Sequence, residues 1–249
     1  MGAEGARMIQ FLGEVGAWFG EPGRWTGSDG ILPRTVEHLW LAFLPMIIAV
    51  AVAIPIAVWL GHRRAGEFSA NAVVNVGRAI PSFGLLILAA IFFSRAGISL
   101  RFWPAVITLI ALAIPPIFTN AYTAIATVPP ETVEAARGMG LTDRELLRAV
   151  EVPVGSPVIL AGVRISLLQV LATVPLAAVL SSGGGLGQYV LRGLNQGPAG
   201  RAEVFAGALL IALLTLSMDW LFTVGERRFL PEGVRRMSDA DVRAGVSAS

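Results

Sequence analysis

Few side chains of this 249-residue chain could do covalent or acid–base chemistry. It contains no cysteine, and its two histidines are His38 and His62. Without cysteine the chain forms no disulfide, no thiolate zinc site and no cysteine nucleophile. All 19 basic residues are arginines, so the chain lacks the lysine with which a P-loop contacts the β- and γ-phosphates of ATP. The sequence therefore predicts no catalytic residue, no metal site and no cofactor bound by this chain.

Two charged residues, Arg164 and Asp219, interrupt segments that are otherwise apolar. Ionisable side chains at membrane depth are costly, and they tend to pair or to face the interior of a helix bundle. We therefore predict an intramembrane ion pair between them, within one chain or between two protomers. The alternative is that the guanidinium of Arg164 extends to the nearby water.

A polar segment, residues 127–157, has prolines and glycines at positions that would begin and end a helix, which indicates a structured loop. Pro129 and Pro130 suit the first turn of a helix, and Gly138 and Gly140 are expected to end that helix. The segment is too polar to cross a membrane.

A second short helix is predicted within the same segment. Thr142 and Glu145 have the three-residue offset of a capping box, which marks the start of this helix. Because proline breaks a helix, the helix is expected to end at Val152, before Pro153. The segment thus predicts two short helices joined at a glycine corner.

The chain as a whole has the composition of a membrane protein. Hydrophobic residues make up 55% and charged residues 14%, and the mean hydropathy is +0.69. Soluble domains carry about 25% charged residues, so this composition argues against a soluble enzyme, a disordered segment or a nucleic-acid-binding protein. A spanning helix takes about 20 apolar residues. The segments that meet this length are 39–60, 73–93, 102–126, 158–180 and 204–224.

These segments predict an all-α integral membrane protein with about five transmembrane helices. Residues 1–34 are predicted to be an extracytoplasmic or interfacial segment, residues 35–229 the transmembrane domain, and residues 230–249 a cytoplasmic tail. More arginines fall on the side of residues 127–157 and of the tail, which predicts a cytoplasmic C-terminus and an N-terminus outside. Met8–Phe19 fits a short interfacial helix or a poorly ordered terminus equally well.

Polar and helix-kinking residues within the apolar segments are candidates for a translocation path. Hydroxyl side chains also join neighbouring helices, so a purely structural role is the alternative for each. His38 and His62, which flank the first apolar segment, are interpreted as interfacial residues. The path candidates are Pro81, Ser82, Asn120, Tyr122 and Thr173.

The polar segment also carries a recognisable motif. Glu134, Ala135 and Ala136 are followed after three residues by Gly140, and after nine more by Val-Glu-Val-Pro at residues 150–153. This run resembles the EAA loop of ABC importer permeases, whose usual form is EAA-x3-G-x9-I-x-L-P, with Val150 and Val152 in place of Ile and Leu. We therefore refer to residues 127–157 as the coupling loop.

Further runs resemble one branch of these permeases, which imports glycine betaine, choline, carnitine or proline betaine. They are AIPS at residues 79–82, EAARGMGL at 134–141, PVILAGVR at 157–164 and GGGLG at 183–187. The GGGLG run is expected to form either part of a docking surface for a binding protein or a plain flexible turn.

The resemblance implies a type I ABC importer permease fold and a non-catalytic subunit that works by alternating access in a bacterial membrane. It implies partners: ABC ATPase subunits that bind ATP and Mg²⁺, an extracytoplasmic solute-binding protein, and a second permease copy or paralogue. The residues that the resemblance assigns to ATPase coupling are Glu134, Ala135, Ala136, Gly140, Leu141, Val150 and Pro153.

Other functions remain as alternatives. A permease for amino acids or another small solute would share much of this sequence pattern. An autonomous channel or secondary transporter is disfavoured, because Asp219 is the single carboxylate within the apolar segments and no inverted repeat is evident. An intramembrane hydrolase is disfavoured because neither histidine is predicted at membrane depth to activate a serine.

Overall fold

A computed structural model describes residues 3–65, 82–97, 103–179 and 183–229, and all regular structure within these ranges is helical. The all-α prediction is confirmed. The α-helices are α1 (Ala3–Gly20), α2 (Ile31–His62), α3 (Ser82–Arg95), α4 (Trp103–Ala126), α5 (Pro130–Gly138), α6 (Asp143–Leu146), α7 (Val152–Thr173), α8 (Gly187–Asn195) and α9 (Arg201–Phe229). A π-helical turn (Leu147–Glu151) and two 3₁₀ turns (Val174–Val179 and Gly197–Gly200) complete the regular structure of these ranges.

Within the described residues, four segments are long and apolar enough to cross a membrane. They are Ile31–His62, Trp103–Ala126, Asp143–Ala178 and Gly197–Glu226, and a shorter apolar helix covers Phe83–Arg95. Four of the five predicted spans therefore have counterparts. The other predicted span, 73–93, begins outside the described residues.

The first spanning helix starts earlier than its hydropathy predicts. It begins at Ile31 rather than near residue 39, so the predicted boundary between residues 34 and 35 falls within α2. The additional turns carry charge, and Arg34 pairs there with Glu37 at 2.7 Å and also with Asp29. Because paired charges are tolerated at a helix end, a hydropathy pattern underestimates the length of this helix.

The N-terminal helix α1 is longer than the predicted Met8–Phe19 and packs on other helices. The ring of Phe11 lies 5.4 Å from that of Phe205 in α9, and the ring of Trp18 lies 5.1 Å from that of Tyr189 in α8. Both pairs meet edge to face, an arrangement that stabilises aromatic contacts.

Pro153 does not end a helix, and that prediction was wrong. The π-helical turn runs directly into α7, and the N–H of Val152 bonds to the carbonyl of Leu147, five residues earlier. Proline normally clashes with the carbonyl four residues before it. The wider π-helical turn relieves that clash, so the chain passes through Pro153 while remaining helical.

The chain divides into two compact units. Unit 1 consists of residues 1–48, 79–113 and 167–218, and unit 2 of residues 49–78, 114–166 and 219–249. Unit 2 contains the coupling loop, Arg164 and Asp219, and unit 1 contains the glycine-rich GGGLG run.

Small residues bring the helices of unit 2 close together. A Cβ added at Gly61 of α2 would lie 2.9 Å from the carbonyl oxygen of Tyr122 in α4. On α7, a Cβ at Gly155 would lie 2.9 Å from the carbonyl oxygen of Ala124, and one at Gly162 would lie 2.6 Å from the Cβ of Asn120. Close backbone approach at small residues is a common way to pack helices in membranes. It places the end of α4, from which the coupling loop leaves, firmly between α2 and α7.

Candidate functional site

The first helix of the coupling loop, α5, begins and ends at the predicted signals. Pro130 is its first residue, and Gly138 its last. The N–H of Leu141 bonds to the carbonyl of Ala136 at 3.3 Å, and that of Gly140 to the carbonyl of Arg137 at 2.9 Å. These two bonds form a Schellman motif, with Gly140 at the left-handed position.

Gly140 is required by its backbone angle and not by lack of space. Its φ is +88°, and a Cβ added there would meet no atom within 4 Å. A β-branched side chain is strongly disfavoured at positive φ. The glycine corner of the coupling loop is thus a feature of backbone geometry alone.

The second helix, α6, begins at the predicted capping box. The N–H of Thr142 donates to Oε2 of Glu145 at 2.9 Å, and the N–H of Glu145 donates to the hydroxyl oxygen of Thr142 at 3.4 Å. The capping box is confirmed. It fixes the start of α6 directly after the glycine corner.

The coupling loop has a small hydrophobic cluster of its own. Val128, Val133, Ala136 and Leu146 are buried together, and Leu141 and Val150 pack against them. This burial joins α5, α6 and the π-helical turn into one packed element. It also assigns Leu141 and Val150 to the inside of the loop.

The alanines of the EAA motif face in different directions. Ala136 is buried in the loop's cluster, so its small side chain serves packing inside the loop. Glu134, Ala135 and Gly140 are exposed. Beside them is Met139, which is 76% exposed and was not singled out from the sequence. An apolar residue between two glycines in a polar segment is the signal that could have identified it.

Arg164 and Asp219 are joined in the structure within one chain. Nε of Arg164 donates to Oδ1 of Asp219 at 2.6 Å, and Nη2 donates to Oδ2 at 2.8 Å. Such two-pronged pairs between a guanidinium and a carboxylate are strong and directional. Both side chains are about one-third exposed, at 34% and 30%. The pair links α7 to α9 within unit 2.

The predicted path residues are not brought together within one unit. Asn120 and Tyr122 lie on α4 in unit 2, where the amide of Asn120 donates to the carbonyl of Pro116 at 2.8 Å and Tyr122 is buried. Thr173 lies in unit 1 and donates to the carbonyl of Gln169 at 2.7 Å. Pro81 and the side chain of Ser82 lie outside what the structure describes.

Thr173 lines a cavity in unit 1 of about 10 Å³, together with leucine, alanine and threonine side chains. A volume of this size holds roughly one water molecule. The cavity is therefore too small to be a solute site.

The interpretation of His38 as an interfacial residue was wrong. His38 is fully buried and lies within α2, where its Nε2 is 3.0 Å from the carbonyl oxygen of Leu171. A carbonyl only accepts hydrogen bonds, so Nε2 carries the proton. A Cβ added at Gly185 would lie 2.5 Å from the Cβ of His38, so the glycine-rich run packs directly on this residue.

The glycine-rich run is a packed element. Gly184 and Gly185 have φ of +129° and +54°, and a Cβ at Gly187 would lie 2.5 Å from Cα of Pro175. The residues that follow are held as well, since the hydroxyl of Tyr189 donates to the carbonyl of Asp29 at 2.7 Å. Burial raises the pKa of Tyr189, so its hydroxyl remains a donor at neutral pH. The plain flexible turn does not describe this part of the chain.

Residues 49–231 match the family described as binding-protein-dependent transport system inner membrane component. The chain belongs to this family. It is 32% identical over 214 residues to the choline transport system permease protein OpuBB of Bacillus subtilis (strain 168), covering 86% of this chain and 95% of the relative. It is also 32% identical over 201 residues to the osmoprotectant import permease protein OsmW of Salmonella typhimurium (strain LT2), covering 81% of this chain and 92% of the relative.

The fold is also similar to a solved structure, the MetNI methionine ABC transporter in an inward-facing conformation. The TM-score is 0.64 at 25% identity, over 80% of this chain and 94% of that chain. The chain is thus an ABC importer permease subunit with the type I importer fold. Subunits of this family are non-catalytic.

Proposed function

We propose that this permease subunit imports a quaternary-amine osmoprotectant, of the class of glycine betaine, choline, carnitine or proline betaine. The observation that carries this proposal is the likeness to OpuBB and OsmW at 32% identity, over more than four-fifths of this chain in each case. The names of these relatives refer to choline and to osmoprotectants. The EAA motif supports the importer class independently of these names.

The energy for transport comes from separate ATPase subunits, which bind ATP and Mg²⁺. The chain has no lysine and hence no P-loop of its own. The coupling loop provides the seat for an ATPase: Glu134 and Ala135 are exposed beside Met139. An exposed methionine is well suited to such a contact, because its unbranched side chain adapts to an apolar groove.

Closure of two ATPases on ATP would then displace the coupling loops and tilt the spanning helices, which gives alternating access. This requires two permease chains, the second being a copy or a paralogue. It also requires a cytoplasmic coupling loop, with the N-terminus outside and the C-terminus in the cytoplasm, as the arginine distribution favours. An extracytoplasmic binding protein would deliver the solute on the opposite side.

The first test is purification of this chain from its host in mild detergent, with mass-spectrometric identification of the proteins that accompany it. We expect a P-loop ATPase and a solute-binding protein. The binding protein would then be titrated with choline, glycine betaine and methionine. Tight binding of methionine alone would favour an amino-acid importer, which the likeness to the methionine transporter makes the second candidate. A clean homo-oligomer without an ATPase would contradict the proposal.

A further inference from the structure

The C-terminal end of α2 has an unusual residue at its last turn. The N–H of Ala65 bonds to the carbonyl of Leu60 at 3.2 Å, and that of Arg64 to the carbonyl of Gly61 at 3.0 Å. This is again a Schellman motif, but its left-handed position is occupied by Arg64, with φ of 47°. Among the described residues, Arg64 is the one non-glycine with positive φ. Glycine is the usual residue at this position, and another residue there suggests a role for its side chain.

The side chain of Arg64 contacts the start of the coupling loop. Its Nη2 donates to the carbonyl oxygen of Val128 at 3.3 Å. Val128 is the second residue of the loop and belongs to the loop's buried cluster. The left-handed backbone at Arg64 therefore coincides with a hydrogen bond from its side chain to that packed element.

His62, two residues before Arg64, contacts the other end of the coupling loop. Its Nδ1 lies 2.5 Å from Oε2 of Glu151, and the two side chains are 14% and 4% exposed. A carboxylate accepts the hydrogen bond, so Nδ1 of His62 donates it. A buried carboxylate without a partner is strongly unfavourable. His62 thus satisfies a carboxylate that the π-helical turn has buried.

The same turn of α2 also lies against the helix from which the coupling loop leaves. A Cβ at Gly61 would be 2.9 Å from the carbonyl oxygen of Tyr122 and 3.0 Å from the Cβ of Ile125. Residues 61–65 therefore contact the end of α4, the start of the coupling loop and its π-helical turn. A single contact would let the loop pivot, whereas contacts at both ends fix its orientation.

We propose that the C-terminal end of α2 forms a clamp on the coupling loop through Arg64 and His62, two positioning residues that carry the loop's displacement into α2. The proposal rests on the proposed function of the loop as the seat of an ATPase. The EAA pattern leaves position 151 open, so the contact between His62 and Glu151 is not part of that motif. With this clamp, α2 takes part in transmitting the movement of the coupling loop, a role that the EAA motif does not assign to it.

The test uses two kinds of variant in the full-length permease. Arg64→Gly keeps the left-handed turn and removes the strain, so that it deletes the side-chain contact without weakening the end of α2. His62→Leu removes the donor to Glu151, and His62→Gln restores an N–H donor. Arg63→Ala is the matched control, since Arg63 lies in the same turn but its guanidinium is placed over the ring of Trp59, at 4.8 Å.

Two measurements are made on each variant. Amide hydrogen exchange of residues 127–157 in the purified permease reports whether the loop is held. The number of ATP molecules hydrolysed per choline or glycine betaine imported, in proteoliposomes with the ATPase and binding protein, reports transmission. We expect exchange to rise on the order of tenfold in Arg64→Gly and His62→Leu, with more ATP hydrolysed per solute. We expect His62→Gln and Arg63→Ala to resemble the wild type.

Unchanged exchange in Arg64→Gly, or an equal rise in Arg63→Ala, would overturn the clamp. If His62→Leu does not insert into the membrane, Arg64→Gly and His62→Gln still decide the question, because neither leaves Glu151 without a donor. If the wild-type complex imports neither solute, that result counts against the proposed function. Amide hydrogen exchange of the coupling loop still tests the clamp in that case, because it does not depend on which solute is transported.

Discussion

Helices α2 and α5 end in the same backbone motif, with different residues at the left-handed position. In α5 this residue is Gly140, and a Cβ there would meet no atom within 4 Å. In α2 it is Arg64, whose side chain reaches the carbonyl of Val128 at 3.3 Å. The end of α5 is thus determined by backbone geometry, whereas at the end of α2 the side chain makes the contact. A side-chain contact can be restored by a compensating change elsewhere, and a backbone requirement cannot.

The most severe way to break the backbone-determined end is Gly140→Val. A β-branched residue at this φ costs about 1–3 kcal/mol, which is enough to shift the corner or unwind the last turn of α5. We expect loss of nearly all ATP-driven uptake, with membrane insertion unchanged. Solute uptake in cells, normalised to the amount of inserted protein, measures this.

A milder change at the same residue is the control. Asparagine tolerates the left-handed region better than valine does, so Gly140→Asn should retain much of the uptake. Uptake at the wild-type level in Gly140→Val would contradict the assignment of Gly140 to the coupling corner.

A smaller effect is expected at Arg164 and Asp219, a second contact that depends on side chains alone. Each single charge reversal leaves two like charges facing each other in an apolar region. We expect uptake to fall by about tenfold, which corresponds to about 1.4 kcal/mol. The double variant Arg164→Asp with Asp219→Arg should recover most of it, since the pair is reformed in the opposite sense. If the double variant does not recover uptake, the single variants lower uptake through some effect other than loss of the pair between Arg164 and Asp219.

The two helix ends can be compared further through the glycines that precede them. Gly61→Ala places a methyl group 2.9 Å from the carbonyl oxygen of Tyr122, and overpacking of this kind costs about 1–3 kcal/mol. We expect the melting temperature of the purified permease in detergent to fall. A melting temperature equal to that of the wild type would show that α2 and α4 can separate at this point without cost.

The smallest effect, of opposite sign, is expected for Gly138→Ala. Gly138 is the last residue of α5, and a Cβ there meets no atom within 4 Å. Alanine is favoured over glycine in a helix by about 0.5–1 kcal/mol, so the melting temperature should rise slightly or stay constant, with uptake unchanged. A clear loss of uptake would indicate that a partner occupies the space beside Gly138.

The parts of the coupling loop that could be predicted from the sequence depend on local chemistry. The start of α5 at Pro130, the glycine corner and the capping box at Thr142 each follow from residues within a few positions of one another. Helix caps satisfy backbone groups of the same turn, so their signals are visible in a short stretch of sequence.

The parts that could not be predicted depend on residues far apart in the chain. Nδ1 of His62 bonds to the carboxylate of Glu151, 89 residues later, and Nε2 of His38 bonds to the carbonyl of Leu171, 133 residues later. Neither contact leaves a mark on the local pattern, which placed both histidines at the interface. The prediction that Pro153 ends a helix was also wrong, because the π-helical turn before it relieves the steric clash by which proline usually ends a helix.

The hydrophobic cluster inside the coupling loop has a consequence for the thermodynamics of assembly. Val128, Val133, Ala136 and Leu146 are already buried in the free chain, so a partner does not have to fold the loop when it docks. Recognition that includes folding carries a large negative heat-capacity change, because it buries apolar area within the segment as well as across the interface. For this loop the heat-capacity change of association should reflect the contact area alone, and the loop should pay little conformational entropy on association.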